Sequence, residues 1–395
     1  MHLLLHVGTE QTGAANWQKV LFHYRSQLAE SKLWYSASMG APFFPANHRK
    51  LIAYARPFSE KDDSLEMFGI QSADAQVKFR EKTREKLENE VGKARENGSD
   101  VFFLSCEHAH SRLTKPEWIA ELKTLFDGLF ESVTVLFHLR PQIDMAISAI
   151  TNSVLFGQPL SRASFNVVKP STAYYDYLGM VKKWASVFGD SSIRLSAFKN
   201  DVFPLKGMDA GPASIESDIL DNAEDSLTMG LDLSMIEAVM SVPDLRTRHI
   251  QYFQSYPVQT PLRLGIDRAT KLQAAFFEDN AQLATRYQGI KASDLTPDWA
   301  PHMEASNFDQ ITPSKETGRL IEHVLERSRM VLLRQKAETH LTECERALAR
   351  NNVDIARNFY ASFERALNES TPEFERLRLS PDIKNRMLEC KQKVS

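Results

Sequence analysis

The stretch LLLHVGTEQTGAANWQ (3–18) constrains this chain more than any other. LLLHV has the length and composition of a strand buried on both faces. Gly8 closes it and Gly13 follows five residues later. Trp17, Val20, Leu21, Tyr24 and Leu28 then fall near one face of a helix expected from Gly13 to about Glu30. Strand, glycine-bounded turn and helix, in that order, begin a parallel βα unit. Further strands are expected at LWYSASM (33–39), VFFLSC (101–106), VTVLFHL (133–139) and SIRLSAF (192–198). Helices are expected between them at 48–55, 73–97, 114–130 (capped by Thr114, with Pro116 in its first turn), from Pro141 to about Phe156, and at 173–189. The alternation predicts an α/β fold of three layers around a central parallel sheet.

Beyond 205 the strand signal fades. Segments 212–245 and 268–288 read as helical, and 315–395 as helical and highly charged. There Ala337, Leu341, Cys344 and Leu348 line one face, Asn351-Asn352 makes a turn, and Ile355, Phe359, Phe363 and Ala366 line the next helix. The pair resembles a single tetratricopeptide-like unit, too few for a solenoid. The expected division is a domain over 1–310 and a helical appendage over 311–395, a surface for a homo-oligomer or protein partner. A chain of 395 residues exceeds what one compact core usually holds.

Bulk composition excludes several classes. The net charge of −3 argues against a non-specific nucleic-acid binder. Cys106, Cys344 and Cys390 are scattered and give neither a disulfide framework nor a zinc spacing, so no metal is expected. No apolar run reaches membrane-spanning length. MHLLLHVG lacks a basic n-region, so the expectation is a cytoplasmic protein without a signal peptide.

Gly8 and Gly13 have the Walker A spacing, G-x-x-x-x-G, but Ala14 and Ala15 stand where that loop needs Lys and Ser or Thr. A magnesium-dependent nucleotidase is therefore disfavoured. Two glycines are equally consistent with a plain strand-to-helix turn. The wider pattern GTEQTGAANWQ resembles the 5′-phosphosulfate loop of the sulfotransferase family, whose bacterial members carry a loop like G-T-x-K-T-G-T-T-S-x-Q. Gly8, Thr9, Thr12, Gly13 and Gln18 match; Gln11 replaces the lysine, Ala14 and Ala15 replace two hydroxyl residues, and Asn16 replaces Ser or Trp. In HLRPQIDMAISAI (138–150), Arg140 ends a strand and Ser148 follows eight residues later, as in that family's 3′-phosphate site. Read without the family, Arg140 would cap the sheet edge and Ser148 would back-bond within its helix. SCEHAHSRL (105–113) lies where the family keeps its catalytic base, which implies Glu107 or His108, with His110 close behind. Asp279-Asn280 sits in a late segment of family-like character, as a cap or packing pair.

The resemblance spans roughly residues 3–290. It implies a P-loop-like fold that binds 3′-phosphoadenosine 5′-phosphosulfate (PAPS) as co-substrate through Gly8, Thr9, Glu10, Gln11, Thr12, Gly13, Ala14, Ala15, Asn16, Arg140 and Ser148. The reaction would be metal-free sulfuryl transfer to a hydroxyl of a glycan or small molecule. Gln11 carries no charge, so the loss of transition-state stabilisation is about 3 kcal/mol, roughly a hundredfold in rate. The alternative is a catalytically impaired sulfotransferase-like protein that binds a ligand or partner.

Overall fold

The computed structural model of the protein describes residues 1–42, 44–198, 230–241, 258–368 and 381–394. The chain forms two compact units, Met1–Ile236 with Gln251–Ile311, and Glu237–Ile250 with Thr312–Ser395.

The first unit is built on a five-stranded, all-parallel sheet. Its strands are β1 (His2–His6), β2 (Leu33–Tyr35), β3 (Val101–Ser105), β4 (Ser132–Leu139) and β5 (Ile193–Ala197), in spatial order β2-β3-β1-β4-β5. Helices cover both faces: α1 (Ala14–His23), α2 (Arg25–Glu30), α3 (Lys50–Ala55), α4 (Asp63–Met67), α5 (Ala73–Glu96), α6 (Ala109–Arg112), α7 (Pro116–Phe126), α8 (Gln142–Ser153) and α9 (Tyr177–Phe188). Leu4, Val101, Phe103 and Leu136 face one layer, where Trp17, Leu21 and Leu28 of α1 and α2 complete a core. Alternation turns Leu3 and Leu5 to the other face. On that side of the protein Trp184 of α9 meets Phe137 edge-on at 6.2 Å between ring centroids. The expected α/β architecture with a helical C-terminal region is the one observed.

Several boundaries differ from the sequence reading, each for a local reason. The first helix breaks at Tyr24, which ends α1 and begins α2. Strand β2 stops at Tyr35 rather than Met39 because the chain turns onto the buried carboxylate of Glu90. That carboxylate accepts bonds from Ser36 Oγ (2.6 Å), Ala37 N (2.7 Å) and Ser38 N (3.1 Å). Those hydrogen bonds replace a strand ladder. Helix α5 is less of a surface helix than its charge suggests, since Gln76, Thr83 and Glu90 are buried with Leu87, Val91 and Ala94, whereas Val77 is exposed. Helix α7 starts after Lys115, and Thr114 does not cap it. Of the helical expectation at 212–245, residues 230–241 lie within the described residues, and Leu233–Ser241 of these is helical.

In the second unit the helices Lys315–Ala349, Val353–Asn368 and Pro381–Val394 share one apolar cluster. Ala337, Leu341 and Cys344 face it as expected. On the next helix Phe363 is buried and Phe359 packs against the cluster as expected, Ala356 and Tyr360 join them, and Ile355 is exposed instead. Asn351 takes the left-handed conformation (φ 56°) that ends the first of these helices. Among the described residues no helix is long and apolar enough to cross a membrane.

Three of the buried histidines of the sheet unit are held far from their ordinary titration. Burial pushes His6 down to about 3, and His48 and His138 down to about 4. His48 Nδ1 accepts from Ser105 N (2.7 Å) and its Nε2 donates to Ser36 O (2.9 Å), so the neutral ring ties β2 to β3. Each folded-state value lies below the 6.5 of an unfolded histidine, so the unfolded chain binds protons that the folded chain refuses. Their contribution is complete above pH 6.5 and declines as pH falls from there toward 4. Urea unfolding at a series of pH values should show stability dropping steeply between pH 6.5 and 4; a flat profile over that range would contradict neutral burial.

Candidate functional site

In an open parallel sheet, ligands sit outside the carboxyl ends of adjacent strands whose connections leave in opposite directions. Here those strands are β1 and β4: β1 leads through α1 and α2 to β2 at one edge, and β4 leads through α8 and α9 to β5 at the other. The two loops singled out in the sequence, after β1 and after β4, flank this point.

The first loop leaves the sheet still paired with β4. Thr9 N donates to His138 O (2.8 Å) and His138 N donates to Gly8 O (2.6 Å). Gly8 has φ +134°, and a Cβ there would lie 2.8 Å from His110 Cβ and 3.2 Å from Glu107 O. Both the dihedral and the space demand glycine. Thr9 and Thr12 are fully buried and brace the loop itself: Thr9 Oγ1 donates to His138 O (2.9 Å) and Thr12 Oγ1 to Thr9 O (2.7 Å). Gly13, at φ 68°, ends the loop, and its carbonyl accepts from Asn16 N (3.0 Å) in the first turn of α1. Ala14 is buried in the core and Ala15 is exposed, so these two offer a ligand only the main-chain N–H groups of a helix start.

The second loop comes back onto the first. Arg140 Nη1 donates to Gln11 O (2.9 Å), and the guanidinium lies 5.2 Å from the Phe198 ring centroid. Ser148 Oγ donates to Gln11 Oε1 (2.8 Å), and Asn152 Nδ2, one turn further along α8, donates to the same oxygen (2.9 Å). Ser148 therefore does not back-bond within its helix, and Arg140 does not merely cap the sheet. Burial lowers the Arg140 pKa, with Asp144 and Tyr177 opposing, and a guanidinium remains a cation throughout the physiological range. The side-chain amide of Gln11, on a left-handed residue (φ 64°), bridges from the loop after β1 to α8. An amide network fixes the start of α8: Gln142 Nε2 donates to Asn280 Oδ1 (2.7 Å), Gln273 Nε2 to Gln142 Oε1 (2.9 Å), and Ile143 N to Gln273 Oε1 (3.0 Å). Asn280 is thus a packing residue.

The third region holds an acid–imidazole cluster. Glu107 Oε2 accepts from Gln18 Nε2 (2.7 Å) and Asn47 Nδ2 (2.8 Å). Its Oε1 lies 3.5 Å from His108 Nε2, while His108 Nδ1 lies 3.3 Å from Glu10 Oε1. His108 is held between two carboxylates. Burial opposes its charge, but Glu107 and Glu10 outweigh burial and raise its pKa. Burial alone would raise Glu10; instead His108, with help from His110 and Ser111, brings it down to about 2. Ser111 Oγ and Tyr174 Oη also donate to Glu10. His110 is kept neutral by burial, and its tautomer is fixed. Nδ1 accepts from Glu10 N (3.3 Å) and Nε2 donates to Tyr174 O (2.9 Å).

Every candidate from the sequence thus lies at this edge of the sheet, in two groups: Gln11 with Arg140 and Ser148, and Glu10 with Glu107 and His108. The sequence reading missed Asn152, Tyr174, Ser111 and Asn47. Asn152 sits four residues after Ser148 and could have been found by helical spacing; Tyr174 and Asn47 come from distant loops with no motif. Gly8→Ala should destabilise by about 1–3 kcal/mol through its backbone conformation, before any clash. Gly92→Ala, mid-helix in α5 with nothing within 4 Å of an added Cβ, should stabilise by about 0.5–1 kcal/mol. Denaturant melts of both variants check the pair. No family model, curated protein or solved structure matches the chain.

Proposed function

We propose that the α/β unit binds a 3′-phosphoadenosine nucleotide at the β1–β4 switch point and transfers a sulfuryl group from PAPS to a hydroxyl of a glycan or small molecule. The observation that carries this reading is the junction of the two loops at Gln11, where Arg140 and Ser148 both reach the loop after β1. Ser148 and Asn152 already grip a single acceptor oxygen, that of Gln11, and a phosphate oxygen presents the same acceptor chemistry. The donor supplies an activated sulfuryl group. The chain's own part is to orient it by main-chain N–H groups and to receive a proton. In that transfer the acceptor oxygen forms a bond to sulfur, the sulfur–oxygen bond to the phosphate breaks, and the hydroxyl proton passes to neutral His108. Glu107, held by Gln18 and Asn47, orients the imidazole.

Isothermal calorimetry with 3′-phosphoadenosine 5′-phosphate should give saturable binding, weakened about tenfold or more by Arg140→Ala, the usual scale for losing a charge-assisted bond. Absence of binding would defeat the nucleotide reading. A base must be deprotonated, and the two carboxylates raise His108 above 6.5. With labelled PAPS and a glycan panel, the acid limb of kcat/KM should therefore fall above pH 6.5, and His108→Gln should remove it with a loss of about 10²–10⁴-fold. A rate independent of pH across that limb would assign base work to Glu107 instead.

One observation favours a second reading, a catalytically impaired binding protein. The loop has Gln11 in place of a cation, and that side chain is engaged by Ser148 and Asn152. Nucleotide binding without transfer to any acceptor would select it.

A further inference from the structure

A glutamine in the left-handed region is uncommon, and its backbone conformation is strained relative to glycine or asparagine. Gln11 holds that conformation with three bonds to the β4–α8 side. Its carbonyl accepts from Arg140, and its side-chain oxygen accepts from both Ser148 and Asn152. The two side-chain donors lie one turn apart on one face of α8 and converge on a single oxygen at 2.8 and 2.9 Å. Thr151, between them in sequence, instead spends its hydroxyl on Ile147 O (2.7 Å), inside the helix. Gly230 also approaches this face: a Cβ there would lie 3.2 Å from Thr151 Oγ1 and 3.6 Å from Ser148 Cα. Hydroxyl, amide and guanidinium donors brought onto one acceptor residue make the inverse image of an oxyanion.

We propose that Gln11 closes the phosphate site of the reading above in the free protein, as an internal ligand, and that Asn152 is a further donor of that site beside Arg140 and Ser148. The phosphate site rests on the function proposed above; its closure by Gln11 rests on the contacts. Asn152 is then a binding residue, and Gln11 a competitor for the subsite. An incoming anion replaces the Gln11 amide oxygen on Ser148 and Asn152, and the observed affinity is reduced by the fraction of molecules in which Gln11 is seated. Neutral donors suit this exchange, since they grip an amide or an anion without leaving a buried charge unpaired when the occupant changes.

Gln11→Asn tests the closure. Asparagine tolerates the left-handed conformation and is one methylene shorter, so it leaves Ser148 and Asn152 open while keeping the loop backbone. By calorimetry, Gln11→Asn should bind 3′-phosphoadenosine 5′-phosphate about tenfold more tightly than the parent protein, the gain expected when a largely closed state is opened. Asn152→Ala should weaken binding in the Gln11→Asn background, with unchanged far-ultraviolet circular dichroism. Equal affinity of parent and Gln11→Asn overturns the closure, and no effect of Asn152→Ala overturns the subsite. Should no variant bind that nucleotide, the proposed function fails and inorganic phosphate becomes the probe. A thermal shift in millimolar phosphate that is larger for Gln11→Asn than for the parent supports an oxyanion subsite. Identical shifts overturn the closure, and the absence of any shift overturns the subsite.

Discussion

The site depends on β1 and β4 remaining paired one step beyond the last residue of β1. The reciprocal bonds between Gly8 and His138, and between His138 and Thr9, carry the ladder past the end of the strand. Only then do the two chains part, one toward α1 and one toward α8. Two loops released from neighbouring strands at the same height cannot avoid each other, and the contact of Arg140 and Ser148 with Gln11 follows. Gly8 is the residue that permits this: with φ +134° and His110 and Glu107 crowding it, a side chain there would force the strand apart from its neighbour or from the loop after β3.

The electrostatics divide the site in two. On the β4 side, Arg140 and the neutral donors Ser148 and Asn152 face the loop. On the β3 side, Glu10 and Glu107 enclose His108, and the acids outnumber the imidazolium. An anion approaching this edge is drawn to the first side and repelled by the second. An acceptor with a polar hydrogen suits the second. The transfer proposed above would use this asymmetry, holding a charged group on one side and receiving a proton on the other. The raised pKa of His108 belongs to the same arrangement, since the carboxylates that orient the ring also make it a stronger base.

The framework was legible in the sequence because its signals are local. VFFLSC is apolar at every position but Ser105 because β3 is buried on both faces, and the run is short because only the strand is so enclosed. The glycines of the loop report backbone conformation, which is also local. Arg140 and Ser148 were legible as a spaced pair after a strand, although composition alone allowed each a purely structural role. Residues joined across the fold were not legible. Asn47 reaches Glu107 over 60 positions and Tyr174 reaches Glu10 over 164. No periodicity encodes such meetings. The end of β2 escaped for the same reason: Ser36 to Ser38 read as strand until Glu90, 54 residues from Ser36, supplies acceptors that turn the chain away.

Gln11 shows how a departure from a motif can carry information that the motif does not. Set against the lysine of the loop it resembles, it is a residue without charge. Judged by conformation, it is a side chain whose backbone strain is accepted in exchange for three hydrogen bonds to the opposite loop. A lysine at this position would bring only donors to Ser148 and Asn152, and Asn152 Nδ2 would face a like donor. The acceptor oxygen of glutamine is what lets the loop seat on α8. On the closure proposed above, the acceptor oxygen that seats the loop on α8 is the same one an incoming anion would have to displace.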